Sequence, residues 1–248
     1  MRLVLLGTGG YRPNDRRHTM CLMLPECGIV LDAGTGFYRV GQYAVTAELD
    51  ILLTHAHLDH VVGLTYLFDV LRQHPLRRVT VHAEADKLAA LDEHLLAAAI
   101  FPAKLPCEFR ALGPSLAMPC GARVRYFPLK HPSGTVGYRL DFADRSLAYV
   151  TDTTATDDAA YAEAVRGVDL LVHECSYADG DADARLATSY GHSVAGAVAR
   201  LARRAQVGRL LLVHINPQHP QDDPVGLASV RAVFPGAELG EDRMEIRF

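Results

Sequence analysis

The chain has 248 residues, 49% of them hydrophobic and 22% charged, with a formal net charge of −4. That is enough apolar material for one sizeable core, and the negative balance gives no general attraction to nucleic acid. The five cysteines, an odd number with no Cys-x-x-Cys pair, argue against a disulfide framework and against a thiolate zinc knuckle.

In chain order, residues 2–6 read as a first strand running into the glycine turn Gly7-Thr8-Gly9-Gly10. This apolar segment is too short for a signal peptide, and no later stretch is long enough to span a membrane, so the cytoplasm is the expected compartment. Further strands are expected at 20–24, 28–32, 50–53, 78–82, 122–127, 135–142, 146–150, 169–173, 209–213 and 243–247. Helices are expected at 60–72, 85–99, 158–166, 193–205 and 225–233. Helix 193–205 places Val194, Ala197, Val198, Leu201, Ala202 and Ala205 on one face, with Arg200, Arg203 and Arg204 on a solvated one. Segment 61–72 is apolar almost all round, which suits burial in the fold or in a homodimer interface. With no polar linker, repeat or low-complexity tract, the chain reads as one α/β domain, 1–248.

Directly after the apolar run Ile51-Leu52-Leu53 comes Thr54-His55-Ala56-His57-Leu58-Asp59-His60. Four metal-type side chains beside a core strand would desolvate one another without a cation. Neighbouring positions at a strand end point in different directions, so one loop can serve two ions, with His55 and His57 for one and Asp59 and His60 for the other. Imidazole nitrogen and carboxylate oxygen suit zinc, and also manganese or iron.

The His-x-His-x-Asp-His pattern resembles the metallo-β-lactamase superfamily. That resemblance implies an αββα sandwich of two related halves and three further ligands at strand ends. His131, Asp152 and His214 each follow a hydrophobic run, in the right order. By the resemblance, one metal takes His55, His57 and His131, the second takes Asp59, His60 and His214, and Asp152 bridges them. Two such divalent ions share a hydroxide that attacks the substrate.

Two more passages narrow the likeness. His173-Glu174-Cys175-Ser176 and Gly191-His192-Ser193 resemble loops of the ribonuclease Z group and its phosphodiesterase relatives. The resemblance places His192 near the scissile phosphate as the proton donor to the leaving group, with Glu174 orienting it, and counts the ligand Asp59 with them as catalytic. The alternatives are a helix-start histidine capped by Ser193, and a buried carboxylate paired elsewhere. Asp32, after the strand at 28–32, reads as a structural hydrogen-bonding residue near the metals. His173 reads as a support for the Glu174 loop, and His18, His74, His82, His94 and His219 read as packing or surface residues.

The likeness has a gap. The tRNA-processing members carry an arm between the third histidine and the bridging aspartate, whereas His131 and Asp152 here are separated by twenty residues that a hairpin uses up. Arg72, Arg77 and Arg78 form a thin basic candidate in its place. The expected activity is therefore phosphodiester hydrolysis on a cyclic nucleotide, a small nucleotide diester or an RNA 3′ end, without structured tRNA or a membrane as partner. An acyl hydrolase on the same two metals, or a non-catalytic metal-binding relative, is the alternative.

Overall fold

The computed structural model describes residues 1–219 and 221–248. Two compact units form, residues 1–114 with 242–247 and residues 115–241 with 248. The first holds strands β1 (Arg2–Gly7), β2 (Cys21–Leu24), β3 (Ile29–Leu31), β4 (Glu48–Leu52), β5 (Arg78–Ala83) and β6 (Glu108–Ala111) in sequential order in one sheet. The second holds β7 (Leu116–Ala117), β8 (Arg123–Leu129), β9 (Thr135–Asp141), β10 (Ser146–Val150), β11 (Leu170–Glu174), β12 (Arg209–Val213) and β13 (Ala237–Leu239), also in sequential order. The chain then returns to the first sheet as β14 (Glu245–Arg247), antiparallel to β1 with Leu3 opposite Ile246.

Each sheet begins as an antiparallel meander and ends as a parallel array. Strands β1 to β3 alternate in direction, whereas β3 to β6 run parallel. Likewise β7 to β10 alternate and β10 to β13 run parallel. Parallel strands are joined by crossovers that return across a sheet face, so their carboxyl ends gather on one edge. Strands β1 to β5 and β10 to β12 are buried on both faces, which explains their largely apolar sequences. Val4, Leu6, Val30, Ile51 and Val81 face a core shared with Leu67, Val70 and Leu88 of the helical crossovers. In the second unit Ala148, Val150, Leu171 and Leu212 face Val198, Leu201 and Ala202 of helix Ala195–Arg204. The arginines 200, 203 and 204 of that helix are exposed, as its amphipathic pattern requires.

Several elements depart from expectation. The helix expected at 60–72 is broken into Leu58–Val61, a tighter-wound segment Val62–Tyr66, and Leu67–Gln73. Its outer side is open: Val61, Leu64, Leu67 and Val70 are buried, but Phe68 is 45% exposed. The helix expected at 85–99 stops at Ala90 and widens over Leu91–Leu95. Residues 158–166 form a single turn, Ala160–Ala162. The short edge strands β6, β7 and β13 and the helix Ala184–Tyr190 were not expected.

Strands β4 and β5 also carry a charged ladder on the face opposite Leu49 and Ile51. Arg78 Nη2 reaches Glu48 Oε2 at 2.9 Å and Asp50 Oδ2 at 3.1 Å, and His82 Nε2 meets Asp50 Oδ1 at 2.9 Å. The expected basic candidate is thus neutralised at Arg78. Burial pushes the Asp50 carboxyl up, but the bonds from His82 and Arg78 prevail and hold it below the usual carboxylate range. Its contribution to stability is therefore present above about pH 4 and is lost as the pH falls through its depressed folded value. We expect Asp50→Asn to cost about 1–3 kcal/mol at pH 7, with the gap to the parent narrowing toward pH 3. Urea unfolding at both pH values measures it.

Candidate metal centre

In the first unit the site is organised by Asp32, which follows β3 with a left-handed backbone, φ 58°, and no exposed surface. Its Oδ1 accepts the Thr54 N–H at 2.8 Å, and its Oδ2 meets His60 Nδ1 at 2.8 Å. The Thr54 hydroxyl donates to Asp32 as well, at 2.9 Å to Oδ2. That hydroxyl has a single proton, so at its 3.0 Å contact with His55 Nδ1 it must accept. Both imidazoles therefore carry their proton on Nδ1 and keep the Nε2 lone pair, the form in which histidine binds a metal. The His55 ring lies 4.4 Å from that of His57 and 4.3 Å from that of His60, and Asp59 Oδ2 lies 3.4 Å from His60 Nε2.

This cluster sits on a backbone crossing that excludes side chains. Ala33 N–H donates to His60 O, and Gly63 N–H to Ala33 O, each at 2.7 Å. A Cβ on Gly34 would lie 2.1 Å from the Asp59 carbonyl oxygen, and one on Gly63 would lie 2.2 Å from the Gly34 oxygen. Asp59 is also tied to the N-terminal loop, accepting the Tyr11 N–H at 2.7 Å. Tyr11 is left-handed at φ 58° and 77% exposed, a strained conformation fixed by that bond. No local sequence pattern marks it.

The second unit carries its own set. Asp152 and His214, just beyond β10 and β12, are again left-handed at φ 51° and 56°, and both are buried. Asp152 Oδ1 lies 3.1 Å from His214 Nε2, and Oδ2 lies 3.5 Å from His131 Nε2. His131 Nδ1 donates to the Gly191 carbonyl at 3.0 Å, which again places the neutral ring's lone pair on Nε2. A Cβ on Gly191 (φ 75°) would lie 2.6 Å from His131 Nδ1, so both the turn and the ring require glycine there.

His192 lies in this set, its ring 5.2 Å from that of His214 and 5.3 Å from that of His131. Its Nδ1 is 3.2 Å from Glu174 Oε1. Glu174 is wholly buried and accepts further bonds from Thr153 N–H at 2.9 Å and from Ser193 N–H and Ser176 Oγ at 3.2 Å. Ser193 does not cap the following helix, which begins at Ala195; its hydroxyl donates to Thr153 O instead. His173 is held neutral by burial, donates from Nδ1 to the Glu174 carbonyl and accepts from the Tyr161 hydroxyl at 2.8 Å. Each unit thus gathers its share of the expected residues. His55, His57, Asp59 and His60 lie together in one; His131, Asp152, Glu174, His192 and His214 lie together in the other. Such clusters of imidazole and carboxylate suit a divalent metal.

A sequence profile of the Beta-lactamase superfamily domain matches residues 28–215. The chain belongs to the beta-lactamase superfamily. A relative from Bradyrhizobium sp. (strain ORS 278), a ribonuclease Z, is 29% identical over 303 aligned positions, covering 97% of each chain. Among solved structures, the metallo-beta-lactamase fold protein YhfI from Bacillus subtilis superposes with a TM-score of 0.82 at 19% identity, covering 99% of each chain. Human tRNase Z, short form, superposes with a TM-score of 0.75 at 19% identity, over 100% of this chain and 99% of that one. The fold is therefore that of the metallo-β-lactamases, as the sequence implied, and the protein is a ribonuclease Z-like superfamily member and a metal-dependent hydrolase.

Removing the carboxylate that fixes two of this superfamily member's imidazoles tests the geometry. In Asp32→Ala, metal affinity should fall about 10–100-fold, measured by chelator competition, with the fold checked by circular dichroism.

Proposed function

We propose that this protein is a binuclear phosphodiesterase acting on a small or unstructured phosphodiester: a cyclic nucleotide, a nucleotide diester or an RNA 3′ end. His55, His57 and His131 would hold one divalent ion, Asp59, His60 and His214 the other, and Asp152 would serve both. Zinc suits these donors, and manganese or iron is also accepted. The donor set fits: His55, His60 and His131 each have Nδ1 engaged by a neighbouring acceptor, as metal-binding imidazoles do. Bound there, the ions supply Lewis acidity and a water acidic enough to ionise near neutral pH.

The observation that carries the reading is the His192–Glu174 pair. Hydrolysis of a phosphodiester expels an alkoxide that must gain a proton. A carboxylate 3.2 Å from Nδ1 accepts that nitrogen's proton and fixes the ring's orientation. His192 can then hold a proton on Nε2 and deliver it at the leaving oxygen, while Glu174 is itself held by three other donors. The ribonuclease Z relatives support a nucleotide-containing substrate. Strands β9 and β10 form a tight hairpin closed by Phe142 N–H to Arg145 O at 2.8 Å, which supports the absence of a tRNA-gripping arm between His131 and Asp152. None of the five cysteines is in a disulfide, which suits a reducing compartment.

The test is turnover of bis(p-nitrophenyl) phosphate beside p-nitrophenyl acetate and a lactone, after reconstitution with zinc or manganese. His192→Ala should lose about 10²–10⁴-fold in diester turnover with metal content unchanged, and Asp152→Ala should lose metal and activity together. Cleavage of the acyl esters alone, or diester turnover indifferent to His192, would sink the proposal.

A further inference from the structure

Within the first unit, beside its ligand cluster, lies a cavity of about 610 Å³ that the metal chemistry does not use. Its walls include Tyr38, Tyr66 and Phe68, with His18, Thr35 and Asp69. We infer that this cavity receives the planar base of a nucleoside phosphodiester and sets the enzyme's preference for nucleotide substrates; the inference rests on the phosphodiesterase reading above.

Position is the first ground. Thr35 follows Gly34, which packs directly on the Asp59 carbonyl. The Thr35 hydroxyl accepts the Thr19 N–H at 2.9 Å and lies 3.2 Å from His18 Nδ1. One cavity wall is therefore continuous with the turn that supports a ligand residue. The second ground is chemistry. Aromatic faces bind any nucleobase by stacking, worth about 1–3 kcal/mol per base. The rings are braced: Phe68 stacks on Phe101 at 6.4 Å, and Tyr38 accepts a bond from Arg39 Nε at 3.0 Å while its ring lies under that guanidinium.

Charge decides which part of a substrate enters. Of the cations beside this wall, Arg39 is committed to Asp242 Oδ2 and to the Leu6 carbonyl, both at 2.6 Å, and Arg12 Nη1 donates to the carbonyl of the wall residue Pro13 at 3.1 Å. His18 is kept toward its neutral form by burial and by the nearby Arg39, so it adds a polar edge without positive charge. Asp69 adds a carboxylate. The lining itself includes no lysine or arginine to hold a phosphate, whereas a neutral base would find ring faces, a hydroxyl, an imidazole edge and a carboxylate for its N–H groups. The volume lies in the range that holds a nucleoside-sized ligand.

The experiment compares thymidine 5′-p-nitrophenyl phosphate with methyl p-nitrophenyl phosphate, which share a leaving group and differ in the base, on the metal-loaded enzyme. The parent should favour the nucleoside substrate by at least about tenfold in kcat/KM, carried mainly in KM. Tyr66→Ala should collapse that ratio, and so should Thr65→Phe at a neighbouring wall position, which fills the cavity without truncating a packed ring. Saturation-transfer NMR should show thymidine bound to the parent and not to Thr65→Phe. Thymidine binding without any diester turnover would keep the cavity assignment and remove the phosphodiesterase reading. Diester turnover with no base preference, or a preference that survives Thr65→Phe, would overturn the cavity assignment alone. A dimer in sedimentation that Thr65→Phe dissociates, with the substrate ratio unchanged, would instead assign this face to a second copy of the chain.

Discussion

A carboxylate with no solvent must be surrounded by donors or surrender its charge, and each unit of this protein is arranged around one such group. Asp32 gathers the Thr54 amide, the Thr54 hydroxyl and His60; Glu174 gathers two amides, the Ser176 hydroxyl and His192. In both cases the donors come from different strands or from the turns that follow them. The carboxylate therefore fixes where neighbouring strand ends stop and which ring nitrogen of a histidine keeps its proton. Backbone geometry and protonation state are set by the same bonds.

The parallel halves of the sheets make this possible. Their strands end on a common edge, and the chain must leave that edge sharply. Three polar residues leave it in a left-handed conformation, Asp32, Asp152 and His214. Aspartate tolerates that region better than most side chains, and histidine is also enriched there. The strain is offset by the hydrogen bonds these side chains make. Glycine appears where even a Cβ is excluded, as at Gly34, Gly63 and Gly191, each against a backbone or ring atom of the site.

How much of this was legible in the sequence depended on range. The His-x-His-x-Asp-His run and the strands before it are local patterns, and the strands at 2–6, 146–150 and 209–213 lie within a residue of where periodicity put them. Apolar content misled where it did not distinguish burial from continuity. Segment 61–72 is apolar all round, yet Gly63 is drawn so close to Gly34 that the helix changes its winding there and one side stays open. The edge strands β6, β7 and β13 are two to four residues long and had no alternation to read. Tyr11, held by a bond to a residue 48 positions away, and Asp242, held to Thr8, His18 and Arg39, depend on contacts that no local pattern encodes.

The return of the chain as β14 has a consequence for synthesis. The first 114 residues emerge from the ribosome well before residues 242–247, yet those last residues belong to their unit. Until then β1 has a bare edge, and the Arg39 guanidinium and the amides of Thr8 and His18 lack the carboxylate of Asp242. A nascent chain therefore cannot complete its amino-terminal unit first, although domains generally fold in order of synthesis. The turn that carries His18 therefore gains the Asp242 carboxylate only after strands β1 to β13 have been synthesised.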